Sequence, residues 1–227
     1  MASFYAAEVA ASTQAYTLSE EESKHCIRVL RKKVGDSIEL LNGKGTQLLC
    51  RITVDNPKKC SVEIIEVIEH HPESKTIHIA MAPTKNMDRV EWFLEKATEL
   101  GLTHLTFLKC SNNERNSINL ERLHKIAIAA MKQSKRYFLP EITDMQPFSN
   151  FIQAHPNGFI GHCYAGEKLR MKEMQNVAPF LIGPEGDFSE MEVDLAKKNG
   201  YKAVHLSDNR LRTETAALTA AFSLLNI

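Results

Sequence analysis

Residues Leu181–Glu192 read L-I-G-P-E-G-D-F-S-E-M-E. An apolar run, Ala178 to Ile182, leads into this stretch and reads as a strand. Ser189, followed three residues later by Glu192, is a capping-box pair that marks the start of a helix. Gly183-Pro184-Glu185-Gly186 is therefore a sharp strand-to-helix turn. Two glycines and a proline give it a stiff, special shape that lets a ligand or another backbone come close.

A second loop of the same kind follows. Ala203–Ser207 is strand-like, and Asp208-Asn209-Arg210-Leu211-Arg212-Thr213-Glu214-Thr215 leads from it into a last helix that starts near Thr213. Working back from the two loops, strands and helices alternate. Thr76–Ala82, Leu105–Lys109 and Phe159–Tyr164 are predicted strands. Asp88 with Glu91 caps a helix whose apolar positions, Val90, Phe93, Leu94, Ala97 and Leu100, recur every three or four residues until Gly101. Glu121–Ser134 is a second helix with Leu123, Ile126, Ala127 and Ala130 on one face, and Ser189–Asn199, closed by Gly200, is a third. The alternation predicts an α/β domain with a mostly parallel sheet. In such sheets ligands bind beyond the carboxyl ends of the strands, where both loops lie.

The rhythm differs before residue 72. Phe4–Val9, Ser37–Leu41, Thr46–Asp55 and Cys60–Glu69 are predicted strands, with a turn at Asn42-Gly43-Lys44-Gly45. Ser19 with Glu22 caps one helix that runs to about Leu30. These elements predict a small barrel domain over residues 1–72, with His70–Ser74 as the linker to a second domain over 73–227.

Composition excludes several classes. The 227 residues are 43% hydrophobic and 25% charged, ordinary for a folded chain, and long enough for a sizeable core. Lys+Arg and Asp+Glu both number 28, so overall charge does not point to nucleic acid and any such partner needs a local basic patch. Five scattered cysteines without a C-x-x-C fit a reduced, cytoplasmic chain. The opening M-A-S-F-Y-A-A-E-V-A-A-S lacks a basic n-region and reads as no signal peptide, and no run has the length of a membrane span. The usual dinucleotide and P-loop glycine motifs, H-E-x-x-H and G-x-S-x-G are all absent. His162 and Cys163, adjacent on a predicted strand, point to opposite faces and make a poor metal pair. No metal is expected.

I-G-P-E-G-D-F-S, followed about 25 residues later by R-L-R-T-E-T-A-A, resembles the RsmE family of 16S ribosomal RNA uridine N3-methyltransferases, in the SPOUT superfamily. Glu21–Asp36, Glu91–Gly101 and Lys125–Ile142 resemble further segments of that family, so the likeness covers nearly the whole chain. The resemblance implies a PUA-like barrel followed by a SPOUT domain with a deep C-terminal trefoil knot. It also implies S-adenosyl-L-methionine held in the knot and a homodimer. The implied reaction is methylation of N3 of one uridine, position 1498 in customary ribosomal numbering, in 16S rRNA of the small ribosomal subunit. Two alternatives remain: another SPOUT reaction such as ribose 2′-O-methylation, and a non-catalytic RNA-binding protein. The intact loops count against the second.

On that resemblance the two loops hold the cofactor. Backbone groups of Leu181, Ile182, Gly183 and Gly186, with Leu206, Ser207 and Leu211, hydrogen-bond and pack around adenine and ribose, and Pro184 and Asn209 belong to the same cofactor-binding set. Glu185 has two roles open to it, a ribose hydroxyl or the turn's own amides. Thr213, Glu214, Thr215 and Ala216 either cap and begin the last helix or approach the methionine end and the target base. Methyl transfer from a sulfonium needs no metal and no covalent enzyme intermediate, only an in-line nucleophile. Uracil N3 must lose its proton, and a guanidinium can stabilise the charge that builds on O2 and O4. Arg212 is the first candidate for that role and Arg210 the second, and no side chain stands out as general base. Arg136 is a candidate to reach a partner subunit's site. His25, Arg28, Arg31, Lys32 and Lys33 crowd the end of the first helix, where they can pair with phosphates. Lys85, Asn86 and Arg89 are placed to line an RNA path. Two places depart from the family pattern: Lys85–Asp88 lacks the expected glycine, and Lys135 stands where a small residue is usual. The apolar face of the last helix (Ala216, Leu218, Ala221, Leu224, Leu225) is expected to be exposed and to form the dimer contact. With zero net charge, free RNA is expected to bind weakly and the assembled subunit to be the better substrate.

Overall fold

A computed structural model describes all residues from Met1 to Ile227. By internal contacts the chain forms two compact units. One comprises Met1–Pro72 with Met131–Leu139, and the other Glu73–Ala130 with Pro140–Ile227. The segment Met131–Leu139, which comprises the last turn of the helix Leu120–Ser134 and the residues after it, thus belongs with the first unit. Within that unit Leu139 donates its amide to the Gly43 carbonyl, and Gly45 donates to Tyr137.

The first unit is a five-stranded sheet. Its strands are β1 (Ala2–Tyr5), β2 (Ala15–Thr17), β3 (Ser37–Leu41), β4 (Thr46–Asn56) and β5 (Lys59–Glu69), in the order β1-β3-β4-β5-β2. Only β1 and β3 run parallel; the other pairs are antiparallel. One face buries Phe4, Leu18, Cys26, Ile38, Leu40, Leu48, Ile52 and Val62 in a common core. The first strand ends at Tyr5 rather than Val9, and β2 was invisible in the sequence because it is three residues long with one half-buried side chain. Helix α1 (Glu20–Lys24) is capped by Ser19, whose side chain accepts from the Glu22 amide. It does not continue to Leu30 as an α-helix, because His25–Val29 widen into a π turn in which Leu30 N–H bonds to His25 O. Arg31 then takes a left-handed φ of 56°.

The second unit carries a seven-stranded, wholly parallel sheet. Its strands are β6 (His78–Met81), β7 (His104–Lys109), β8 (Glu141–Pro147), β9 (Phe159–Gly161), β10 (Leu169–Arg170), β11 (Phe180–Ile182) and β12 (Lys202–His205), in the order β10-β12-β9-β11-β6-β7-β8. Its helices are α2 (Met87–Leu100), α3 (Leu120–Ser134), α4 (Phe148–Ala154), α5 (Glu190–Lys198) and α6 (Thr213–Leu225). The central strands β6 and β11 are buried at every position, as expected for strands covered on both faces. β8 and α4 escaped the sequence reading. The strand is mostly exposed and lacks alternation, and the seven-residue helix is too short to show a period.

Two capping expectations need correction. Helix α2 is capped by Asn86, which accepts from the Asp88 amide, and Glu91 instead pairs with Arg122. Helix α6 has Arg212 at its N-cap position without a side-chain capping bond, so Thr213 and Glu214 are its buried first residues and cap nothing. Ser189 and Glu192 do form the reciprocal capping box of α5. On α6, Ala221 and Leu224 are fully buried, and the exposed apolar residue is Phe222 at 56%. Helix α6 packs against α2, β6 and β11, which takes Ala221 and Leu224 of the expected apolar face into the unit's own core and leaves Ala216, Leu218 and Leu225 half-buried.

Candidate functional site

The strand order reverses where β11 meets β6. Strands β6, β7 and β8 progress to one side, and β11, β9 and β12 lie on the other. At such a reversal the loops beyond the strand ends diverge and leave a crevice. Here three turns leave β9, β11 and β12 at the same edge and surround a cleft of about 620 Å³, within the ordinary range for small-molecule sites.

The turn after β11 is built by several independent contacts. Asp187 N–H closes it on Pro184 O at 2.9 Å. The left-handed residue is Asp187, at φ 63°, and neither glycine of the turn has a positive φ. Gly183 is needed for space: a Cβ there would lie 3.0 Å from the Phe188 amide nitrogen, next to a fully buried ring. Asn112 donates its Nδ2 to Gly186 O at 3.2 Å and Asp187 O at 3.1 Å, clamping the turn from outside. Glu185 bonds to none of the turn's own amides. Its Oε1 accepts from Lys85 N–H at 3.0 Å, and its Oε2 is buried without a partner. The glycine-free Lys85–Asp88 loop is held by that bond, by the Asn86 cap and by Thr84 Oγ1 donating to Asn86 O.

Strand β9 ends at Gly161, earlier than expected, because His162 and Cys163 turn into the cleft. The Cys163 amide donates to Asp187 Oδ2 at 2.7 Å, and Lys168 Nζ donates to His162 O at 2.7 Å. Both ring nitrogens of His162 are buried with no partner. Burial, with Lys168 nearby, lowers its pKa, which favours the neutral imidazole. Partial burial and the Asp187 carboxylate raise the Cys163 pKa, which favours the thiol over the thiolate. His162, Cys163, Lys168, Asp187, His205 and Asp208 line the cleft and were not singled out as site residues. In the sequence His162 and Cys163 look like one more buried strand.

Of the residues expected at the site, Ile182, Gly183, Pro184, Glu185, Leu206, Ser207, Asn209, Leu211, Thr213 and Ala216 line the cleft, together with Arg89, Arg210 and Arg212. The side chain of Leu181 does not: alternation along β11 sends it into the core beside Ala80 and Ile160. Gly186 also stays outside, turned toward Asn112. Glu214 and Thr215 line a neighbouring recess instead. His25 and Arg28 lie on the π turn of the first unit, followed by Arg31, Lys32 and Lys33, and all but the half-buried Lys32 are exposed. Arg136 also belongs to the first unit. It follows Lys135, whose left-handed φ of 55° explains why a small residue suits that place.

The unpartnered Glu185 Oε2 and His162 nitrogens offer both acceptor and donor capacity inside a half-apolar cleft. They suit a ligand carrying hydroxyl and amino groups, and the adenosine part of S-adenosylmethionine fits that donor set.

The comparisons with known proteins agree. Residues 71–225 match the RNA methyltransferase domain family, and residues 18–65 match the RNA methyltransferase PUA domain. The chain is 29% identical over 215 residues to the ribosomal RNA small subunit methyltransferase E of Aquifex aeolicus, covering 92% of this chain and 93% of that one. A probable rRNA methyltransferase from Porphyromonas gingivalis has a solved structure with TM-score 0.88 and 34% identity, covering 98% of this chain and 96% of that one. The ribosomal RNA small subunit methyltransferase E of Neisseria gonorrhoeae, solved bound to S-adenosyl methionine, superposes with TM-score 0.88 at 27% identity over 100% of this chain and 97% of that one. No helix is long and apolar enough to cross a membrane. The chain belongs to the family of RNA methyltransferases that join a PUA domain to this methyltransferase domain.

Proposed function

We propose that this chain transfers a methyl group from S-adenosylmethionine to N3 of the uridine at position 1498 of 16S rRNA, in the small ribosomal subunit, as a cytoplasmic homodimer. The observation that carries the reading is the cleft beyond β9, β11 and β12, with its unpartnered polar groups, in a chain similar over its full length to an enzyme solved with S-adenosyl methionine. When bound, the cofactor supplies a methyl group on a good sulfonium leaving group.

The chain's own residues supply position and charge. Gly183–Glu185 and Leu206–Ser207 contribute backbone edges and apolar walls, while His162 and Glu185 take the hydroxyl and amino groups. Arg210 and Arg212 are exposed at the cleft, neither in an ion pair, and stabilise negative charge building on the uracil oxygens. The basic π turn of the first unit grips phosphates without reading sequence. A C-terminal trefoil knot formed by the loops after β11 and β12 is part of this reading. So is dimerisation through α6, for which Phe222 and the half-buried Leu218 and Leu225 provide apolar surface.

The test is labelled-methyl transfer to small subunits that lack the modification, with the site read by reverse transcription. An N3-methyl group blocks pairing and stops the polymerase. A single stop at the expected uridine, at least about 100-fold weaker with Arg212→Ala, supports the reading. Label without a stop would assign a ribose methylase. Sedimentation of the free protein at micromolar concentration checks the dimer, and a monomer mass would exclude it.

A further inference from the structure

A second recess of about 320 Å³ lies beside the cleft, lined by Asp88, Arg89, Trp92, Arg212, Glu214 and Thr215. Arg89 and Arg212 line both spaces, so the two adjoin at these residues. Glu214 is only 7% exposed. Its Oε1 faces Arg89 Nε at 3.8 Å, and its Oε2 is buried with no partner. A buried carboxylate oxygen left unpaired is costly, so a site that keeps one has a use for it. It does not serve as a helix cap, since it is the second residue of α6 and the N-cap position is Arg212. Trp92, 44% exposed, adds an aromatic face to the same recess.

The donors and acceptor in this lining match one ligand edge. Uracil presents acceptor, donor, acceptor along O4, N3–H and O2. In the lining of the recess Arg89 and Arg212 supply two donors and Glu214 one acceptor. Cytosine would place an amino group against a guanidinium and a bare ring nitrogen against the carboxylate, so the same three residues reject it. We propose that this recess takes the target uracil, stacked on Trp92, and that Glu214 is the base that removes the N3 proton. The inference rests on the uridine N3 reading above. In the step, the N3–H proton passes to the Glu214 carboxylate. The electron pair left on N3 forms the bond to the methyl carbon as the carbon–sulfur bond breaks, its electrons staying on sulfur. Glu214 then returns its proton to water.

Trp92 is the sole tryptophan, so its fluorescence reports the recess directly. The protein, saturated with S-adenosylhomocysteine, is titrated with uridine, cytidine and N3-methyluridine monophosphates. A saturable quench with uridine monophosphate, at least about 5-fold weaker with the other two, is expected. Equal or absent quenching overturns the assignment of the recess. In parallel, Glu214→Gln keeps an acceptor for N3–H but cannot take its proton. Its single-turnover rate on unmethylated subunits should fall about 100-fold or more, with cofactor affinity, subunit affinity and melting temperature held. A rate within about 3-fold of wild type, or a loss of fold or cofactor binding, overturns the catalytic role. Trp92→Ala should raise the subunit concentration for half-maximal rate about 10-fold without changing cofactor affinity; no rise removes the stacking. Wild-type protein that leaves the uridine unmodified sinks the functional reading and this inference together, whereas normal wild-type activity with unaffected variants sinks this inference alone.

Discussion

The Asp187 carboxylate accepts the Cys163 amide at 2.7 Å and so ties the turn after β11 to the end of β9, two segments that line the cleft. The same carboxylate, through Oδ1, accepts the amide of Phe188. One side chain thus fixes two walls of the cofactor cleft, from a backbone with a left-handed φ of 63°.

Removing that tie separates strain from bonding. Asp187→Ala loses both bonds and keeps the unfavourable φ, so it should cost about 1–3 kcal/mol in urea unfolding. Asp187→Gly loses the bonds and relieves the strain, and should be the more stable of the two. Both should weaken S-adenosylmethionine binding in calorimetry, and equal affinity to wild type would show that the tie does not shape the cleft.

Gly183→Ala places a Cβ at 3.0 Å from the Phe188 amide nitrogen and 3.2 Å from its buried ring. Neither neighbour is a flexible chain end, so the turn itself must move. Cofactor affinity should drop about 10-fold or more, in line with overpacking costs of roughly 1–3 kcal/mol, while the far-ultraviolet spectrum stays native.

The π turn makes a prediction about salt. Arg28, Arg31 and Lys33 are exposed beside it. Replacing all three with alanine should weaken binding to small subunits and reduce the slope of log affinity against log salt by about 2–3. Binding of cofactor should not change. An unaltered slope would place the phosphate contacts elsewhere.

His78 predicts an acid limb in stability. Burial, then the neighbouring His104 and His155, push its pKa down to about 3, and its Nε2 pairs with Thr106 Oγ1 at 2.9 Å. The unfolded chain takes up a proton near the ordinary histidine value of 6.5 while the folded chain does not. Stability is therefore intact above pH 6.5 and is lost as pH falls from 6.5 toward 3, at up to about 1.4 kcal/mol per pH unit. His78→Asn should flatten that limb in unfolding curves measured from pH 7 to 4, provided its lower starting stability is used as the reference.

The sequence by itself determined the parallel α/β class, because strand runs alternating with three- and four-spaced helices leave few other solutions. It also determined the Ser189–Glu192 cap, the Gly101 stop and the two loops that line the cleft. These signals are local, carried by residues within one turn of each other. Tertiary structure alone decided what distant residues do to one another. His162 and Cys163 read as strand, yet Asp187, 24 residues on, draws them into the cleft. Glu185 reaches an amide 100 residues away instead of its own turn. Glu214 reads as a helix-start acid, and only the packing of α6 on α2 brings it to Arg89 and leaves one oxygen buried without a partner. Sequence patterns encode periodicity and capping over a few residues; which carboxylate meets which donor depends on how the sheet orders its strands.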